Sequence, residues 1–484
     1  MTLVKDEWEV MFDGLDDIED ATNLSRLRKW IIIGIISFGS LHVTCVSSVW
    51  TLASPAIIEH FGISHEVSVL GISLFIWGLG TGSIFLSPIS EFHGRKMVYV
   101  VGLVFMISFQ CITAFSRNIG AMLFGRFAAG FAGLSFLLVA TGSFSDLFKN
   151  QKKDVQKTDS NRELAMAMVI FSISPFIGPG IGPLISGFIN SNLQYRWTFY
   201  VMLIWTLVEL VLISLFVPET CRPVLLVKKA QRLRRETGDG RYWAPLERNR
   251  VGIYESILTS SKRPISLVLR DKMTFAICFY SGFTLAVVYL FFVAFPYTFA
   301  KVYGFGIAAQ GMSFLGLVVG MATSTIVSPY FVNKNYVRLL ARNNGRAIPE
   351  FRLVQVIVGV FIVPVGLFIF AWTTYKRVHW IFPIIGSGIY GGGTILVFNG
   401  IFSYTVEAYR LYAASAMATN TFIRATMSGI FPLFGLQMFK ALGIHWASTL
   451  LGIFACTLIP GAFLLYHYGE KLRATSPYTW NDPS

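Results

Sequence analysis

Gly178-Pro179-Gly180-Ile181-Gly182-Pro183 lies inside an otherwise apolar, helix-length segment of roughly residues 164–189. Two prolines about one turn apart would break a helix in water, because each removes a backbone donor and presses its ring on the preceding turn. Within a bilayer such a run survives where neighbouring helices or cavity water satisfy the freed carbonyls. The small residues Gly178, Gly180, Gly182 and Gly187 leave a smooth face on which another helix can press. The run therefore predicts a membrane bundle with a pliable or sealing helix, an arrangement suited to transport.

Composition agrees with a membrane reading. Hydrophobic residues make up 54% of the 484, charged residues 14%, and the mean hydropathy is +0.60, outside the range of soluble domains. Apolar stretches of about 20 residues fall at roughly 30–53, 67–88, 98–116, 119–144, 164–189, 197–217, 273–299, 308–332, 354–374, 380–404, 412–437 and 446–468. Twelve transmembrane helices leave no soluble domain of useful size, so the predicted class is an all-α membrane protein.

The net charge of +14 is a topology signal. With the N-terminus inside, about 32 of the 40 Lys and Arg fall in cytoplasmic loops and tails. Arg117, Arg196, Lys301, Lys376, Arg377 and Lys440 fall outside, and Arg126 and Arg424 within spans. That asymmetry places both termini in the cytoplasm and excludes a nucleic-acid footprint. Residues 1–29 are a polar, acidic tail unlike a cleavable leader. Cys45, Cys111, Cys221, Cys278 and Cys456 give neither a disulfide framework nor metal-ligand spacing.

The loops divide the chain. Residues 30–217 form a first six-helix bundle, 218–272 a long basic linker, 273–468 a second six-helix bundle and 469–484 a short tail. Within the linker, Leu225 to Arg235 predicts a basic amphipathic helix lying on the inner leaflet. A faint internal echo relates the halves: Ser87-Pro88 leads to Gly94-Arg95, and Ser328-Pro329 to Gly345-Arg346.

Ser87-Pro88-Ile89-Ser90-Glu91-Phe92-His93-Gly94-Arg95-Lys96 resembles the signature loop between helices two and three of the major facilitator superfamily. Ser87 stands where that family has its leading glycine, and Glu91 replaces its usual Asp. Arg126 resembles the arginine of the superfamily's fourth helix. The Gly-Pro run resembles the signature of its antiporter branch, with Ser174 and Pro183 in place of two glycines. Further motifs narrow the resemblance: Pro218-Glu219-Thr220 onward, Pro349-Glu350-Phe351-Arg352-Leu353, Tyr404-Thr405-Val406-Glu407-Ala408-Tyr409, then Asn420, Arg424 and Phe431-Pro432-Leu433-Phe434. Together they are similar to fungal twelve-helix drug:proton antiporters, the group of polyamine and fluconazole-type exporters, from about residue 28 to 470.

The resemblance implies the major facilitator fold and a proton-coupled exporter of amphipathic or cationic xenobiotics, or of polyamines, working by alternating access. It implies a plasma-membrane monomer that needs no cofactor beyond a proton gradient; charge placement orients the chain equally well in a vacuolar membrane. Small-molecule substrate, protons and the lipid bilayer are the expected partners. Ser87, Glu91, Gly94, Arg95 and Lys96 are the expected gating loop. Gly178, Pro179, Gly182, Pro183 and Gly187 form the antiporter helix.

Intramembrane charges are functional candidates by default. Arg126 reads as a proton-coupling or gating cation, against a static bond to neighbouring carbonyls. Glu209, the only acid deep in the first half, reads as the protonatable carboxyl, against a neutral or lipid-facing outlier. Glu407 and Arg410 read as an inner gate or a simple interfacial pair. Asn420 and Arg424 share one face and are substrate-binding candidates with Tyr280, Tyr289 and Asn399, against ordinary packing. His42 is a proton-binding or a merely cross-bonding residue. No catalytic set of Ser, His and Asp converges and no Gly-rich loop ends in Gly-Lys-Ser/Thr, so neither an enzyme nor an ATP-driven pump is expected. A nutrient or ion uptake transporter of the same fold and a non-transporting sensor are the alternatives.

Overall fold

The computed structural model describes residues 8–12, 17, 19–86, 89, 93–148, 154–248, 264, 266–269, 271–343 and 348–476. Eight apolar helices are uninterrupted: α2 (His65–Leu86), α3 (Arg95–Phe115), α4 (Ile119–Phe148), α5 (Asp154–Asn192), α6 (Arg196–Phe216), α7 (Lys272–Tyr303), α9 (Leu353–Thr373) and α10 (Ile381–Ala408). Two more are jointed: α1 (Arg26–Phe61) breaks at Val49 and α8 (Ile307–Arg342) at Phe314. The last run, Ala413–Thr475, has 63 residues, about 95 Å if straight and some three times the hydrocarbon thickness. Gly443, at φ 76° and ψ 163°, occupies backbone space that glycine alone enters cheaply. It splits the run into α11 (413–442) and α12 (444–475), completing twelve spans.

Helix ends carry their own chemistry. Ser25 caps α1 by accepting from the Arg28 amide, and Asp271 caps α7 by accepting from Met273 at 3.0 Å. The outer faces stay apolar: Val101, Val104 and Phe105 on α3, and Leu207, Val208, Val211 and Leu215 on α6, are exposed. A face of this kind has its partner in lipid tails.

The proline-rich run does not break α5, which continues through Pro175, Pro179 and Pro183. Its glycines explain why a helix with weakened internal bonding holds. A Cβ on Gly178 would strike Thr44 and the Leu41 carbonyl, and one on Gly182 would strike Ser48 and the Cys45 carbonyl, all on α1. On the other side a Cβ at Gly180 would strike Val318, and one at Gly187 would meet the Ile307 carbonyl at 3.1 Å, both on α8. α5 is thus pressed between its own half and the other.

A second inter-half seam joins α2 to α11. Trp77 donates its indole N–H to the Thr426 carbonyl at 3.2 Å, Ser83 donates to the Ala418 carbonyl at 3.2 Å, and Gln437 donates to Glu66 at 2.9 Å.

The linker helix forms over Arg222–Thr237, but its basic side chains are not simply spread on a lipid surface. Asp17 pairs with Lys229 at 2.8 Å, Asp20 with Arg222 at 2.9 Å, and Glu19 with Arg232. Phe12 lies under Arg222 and Lys229, at 5.0 and 6.0 Å. Where the tail crosses the linker, the Val10 amide donates to the Trp243 carbonyl at 2.9 Å and the Trp243 amide to the Trp8 carbonyl at 3.0 Å. The acidic tail thus supplies part of the helix's counter-charge from within the chain, while Lys228 and Arg235 stay exposed.

Candidate functional site

The end of the bundle bearing the linker holds a polar lattice. Gly94 opens α3 at φ 93°, and a Cβ there would run into the Glu219 carboxylate. With that space free, Glu219 accepts from the Arg95 amide at 2.8 Å, Lys96 at 3.2 Å, Thr220 at 3.0 Å and Cys221 at 2.9 Å. A carboxylate so placed satisfies the open amides at a helix start. The Arg95 guanidinium bonds Asp146 of α4 at 3.3 Å, and Lys96 donates to the Ser214 carbonyl at 2.9 Å. Ser87 and Glu91 lie outside the described residues. Among the described residues, Asp146 and Glu219 hold Arg95 and its helix start, two acids to which the sequence reading assigns no role.

The second half has a parallel lattice. Arg473 clasps Glu350 with two bonds, Nε–Oε1 at 2.8 Å and Nη2–Oε2 at 3.0 Å. Arg352 pairs with Glu407 at 2.7 Å, so the ion-pair partner of Glu407 is not Arg410, as expected, but a residue 55 positions earlier. Arg410 closes the turn after α10. Tyr409 and Thr274 both donate to Asp271, tying α10 to the start of α7. A signal for part of this stood in the sequence: Pro218-Glu219 and Pro349-Glu350 are matched dipeptides, and each glutamate ends up bridging helix ends.

Arg126 is fully buried inside the first half. It donates to the carbonyls of Gly71 at 2.9 Å, Val46 at 2.7 Å and Ser47 at 3.0 Å. Val46 and Ser47 lie where the two segments of α1 meet, so the guanidinium straps that joint to α2. Its carbon lies 4.5 Å from the Phe75 ring and 5.5 Å from Trp50. Of the two expectations for Arg126, carbonyl bonding is the one visible in the geometry.

Glu209 sits on α6 with its carboxylate over Gly39, where a Cβ would come within 2.8 Å of Oε1. Neither oxygen has a hydrogen-bond partner among the described residues. One turn along α1 from Gly39 and two turns back along α6 from Glu209, His42 meets the Met202 carbonyl through Nε2 at 3.1 Å. A carbonyl only accepts, so Nε2 carries the hydrogen and Nδ1 keeps a free lone pair. Thr206 donates to Gln110 of α3 at 2.8 Å, while Gln110 Nε2 and Trp205 Nε1 have no hydrogen-bond partner among the described residues. A small void lined by Val46, Gln110, Thr113, Arg126 and Met202 separates this cluster from Arg126. Glu209 thus neither faces lipid nor stands alone.

Of the expected substrate residues, Tyr289 reaches across to the first half, while Asn420 and Arg424 contact α7 and α10 of their own half. Tyr289 shares a hydroxyl hydrogen bond with Ser47 of α1 at 3.1 Å. Asn420 donates to Ser281 of α7 at 2.8 Å. Arg424 lies over Phe398 and Phe402. Phe398 stacks at 5.2 Å on Phe176 of α5, a contact across the halves. Asn399 is half-buried one residue beyond Phe398, and Tyr280 is packed in the core of the second half.

The model of the Major Facilitator Superfamily matches residues 35–432. The chain belongs to that superfamily. Over 482 residues it is 47% identical to the probable drug/proton antiporter YHK8 of Saccharomyces cerevisiae, covering 99% of this chain and 91% of that one. It is 41% identical to the efflux pump atB of Aspergillus terreus, over 97% and 89% of the two chains. The multidrug transporter FLU1 of Candida albicans is 34% identical over 98% of this chain and 77% of its own. Among solved structures, the partially occluded inward-open xylose transporter XylE from E. coli superposes with TM-score 0.63 at 13% identity, over 91% and 99%. That likeness shows the twelve-helix major facilitator fold. This major facilitator protein is therefore a multi-span membrane transporter, and Arg95, Arg126, Glu209, Glu407 and Arg424 are polar positions of a transporter's interior and ends.

Proposed function

We propose that this chain is a proton-coupled exporter of amphipathic small molecules that works by alternating access. The observation that carries the reading is α5, whose glycines press one face on α1 and the other on α8. A helix with three prolines and glycines at its closest approaches can slide and re-seal against both partners. The names borne by the relatives, drug/proton antiporter and efflux pump, support the same reading.

In this scheme residues 30–217 and 273–468 move as two bodies about a central site, with 218–272 as the tether. Both termini face the cytoplasm of a plasma-membrane monomer. The proton lands on Glu209: a bare buried carboxylate is costly, and its neutral acid far less so. His42 offers a second lone pair one turn away. Protonation changes the charge that α1 and α6 enclose, and Arg126 holds the joint of α1 that must respond. At the linker end, Arg95 with Asp146 and Glu219, and Arg352 with Glu407, fasten the gate and open as the halves rock.

The test is accumulation of fluorescent amphiphiles in cells overexpressing the chain, with and without a protonophore. Lower accumulation that the protonophore abolishes is expected. Glu209→Gln should keep gradient-free exchange of substrate while losing uphill export. Higher accumulation in expressing cells would refute the export direction, and uphill export by Glu209→Gln would refute the proton site.

A further inference from the structure

Arg424 lies midway along α11 with its guanidinium carbon 5.4 Å from the Phe398 ring and 5.2 Å from the Phe402 ring of α10. Among the described residues no carboxylate or other acceptor bonds it. Arg424, Asn399, Phe176 and Phe402 all keep partial accessibility, so space remains beside the guanidinium. Asn420, one turn earlier, gives its amide to Ser281 and leaves Oδ1 unbonded. Tyr289 lies in the fields of both Arg424 and Arg126.

The acids are elsewhere. Between Lys272 and Gly469 the sequence holds only Glu350 and Glu407, and both are engaged at the linker end by Arg473 and Arg352. Glu209 is turned onto Gly39 and Phe136 inside the first half. Glu66, on the α2–α11 seam, is engaged by Gln437, thirteen residues along α11 from Arg424. Among the described residues Arg424 is therefore a cation without an anion, and the hydrogen bonds of Arg126 all go to carbonyls.

A guanidinium removed from water demands compensation. Two phenyl faces supply part of it but accept none of its five N–H bonds. A carboxylate fits that fork with two parallel bonds, and the flanking rings suit a flat apolar body. A cationic solute would meet like charge and find only neutral acceptors such as Asn420 Oδ1, with no carboxylate at Arg424 among the described residues. We propose that the central site takes amphipathic organic anions, a carboxylate seated on Arg424 and its apolar body among Phe176, Phe398 and Phe402. This rests on the transporter reading above and narrows its substrate class, displacing the cationic xenobiotics and polyamines expected from sequence resemblance.

The test measures binding without any gradient, so it stands or falls separately from the direction of transport. The purified full chain in lipid nanodiscs is titrated with a panel of flat acids such as 2-naphthoate and benzoate, with their methyl esters, and with tetraphenylphosphonium. Each acid should bind about tenfold or more tightly than its ester. Arg424→Gln should raise the acid Kd by about the same factor and leave the ester unchanged, with Arg424→Lys between them. Should Arg424→Gln fail to fold, the acid–ester comparison on the unaltered chain decides alone. Failure of every acid to outbind its ester, tighter binding of tetraphenylphosphonium, or an equal acid affinity in Arg424→Gln would overturn the proposal. So would chloride or phosphate that no organic acid displaces, which would make Arg424 a seat for an inorganic counter-ion.

Discussion

Two ion pairs at the linker end of the second half offer a controlled comparison of burial. Arg473 and Glu350 are 10% and 7% exposed and bond through two parallel contacts. Arg352 and Glu407 are 28% and 31% exposed. Removing one partner of a buried pair strands the other charge in a poor solvent, a cost of about 3–5 kcal/mol. The same deletion in a half-exposed pair costs about 0–1 kcal/mol, since water takes over. Glu350→Ala should therefore destabilise the chain by about 3–5 kcal/mol and Glu407→Ala by less than about 1 kcal/mol. For a cooperative unit of a six-helix half, about 2–4 °C accompanies each kcal/mol. The melting temperature of the purified protein, followed by intrinsic tryptophan fluorescence, should fall by about 6–20 °C in the first variant and at most about 4 °C in the second. The double variant Glu350→Gln with Arg473→Met should recover most of the loss, because it removes the stranded charge. Equal melting temperatures for Glu350→Ala and Glu407→Ala, or no recovery in the double variant, would refute the reasoning.

Gly182→Val should abolish surface expression or transport, because its Cβ meets the Ser48 hydroxyl and the Cys45 carbonyl. Gly34→Ala, with nothing within 4 Å, should be tolerated and even gain up to about 1 kcal/mol in helix propensity; a fluorescence-monitored size-exclusion profile reads both. Asp17→Asn with Asp20→Asn should release Lys229 and Arg222 from the tail, seen as faster tryptic cleavage of the linker helix and tighter binding to phosphatidylserine vesicles. An unchanged cleavage rate would argue that the tail is held by its aromatic contacts instead. Burial holds the Cys221 thiol above its ordinary range, and only the thiolate attacks. Its maleimide labelling, in a variant with no other cysteine, should stay slow at neutral pH and climb only beyond the free-thiol range of about 8.5.

The sequence by itself determined the solvent, the span count and the family. Long apolar runs, sparse charge and asymmetric Lys and Arg are properties each segment carries alone, so they survive being read one residue at a time. It also marked Arg126, Glu209 and Arg424 as costly, because an intramembrane charge is conspicuous without knowledge of its neighbours. What such a reading lacked was partners. That Glu407 meets Arg352, that Asp146 and Glu219 hold Arg95 and the start of α3, and that an acidic tail covers the basic linker helix are all pairings across the chain. Opposite charges are abundant at the linker end, and only folding brings a given two within 4 Å. Gly178 and Gly180 look alike in sequence, yet they serve α1 and α8 respectively. The direction a residue faces belongs to the packed bundle, and so does the fact that no acid among the described residues bonds Arg424, because which charges meet is decided only once the helices have packed.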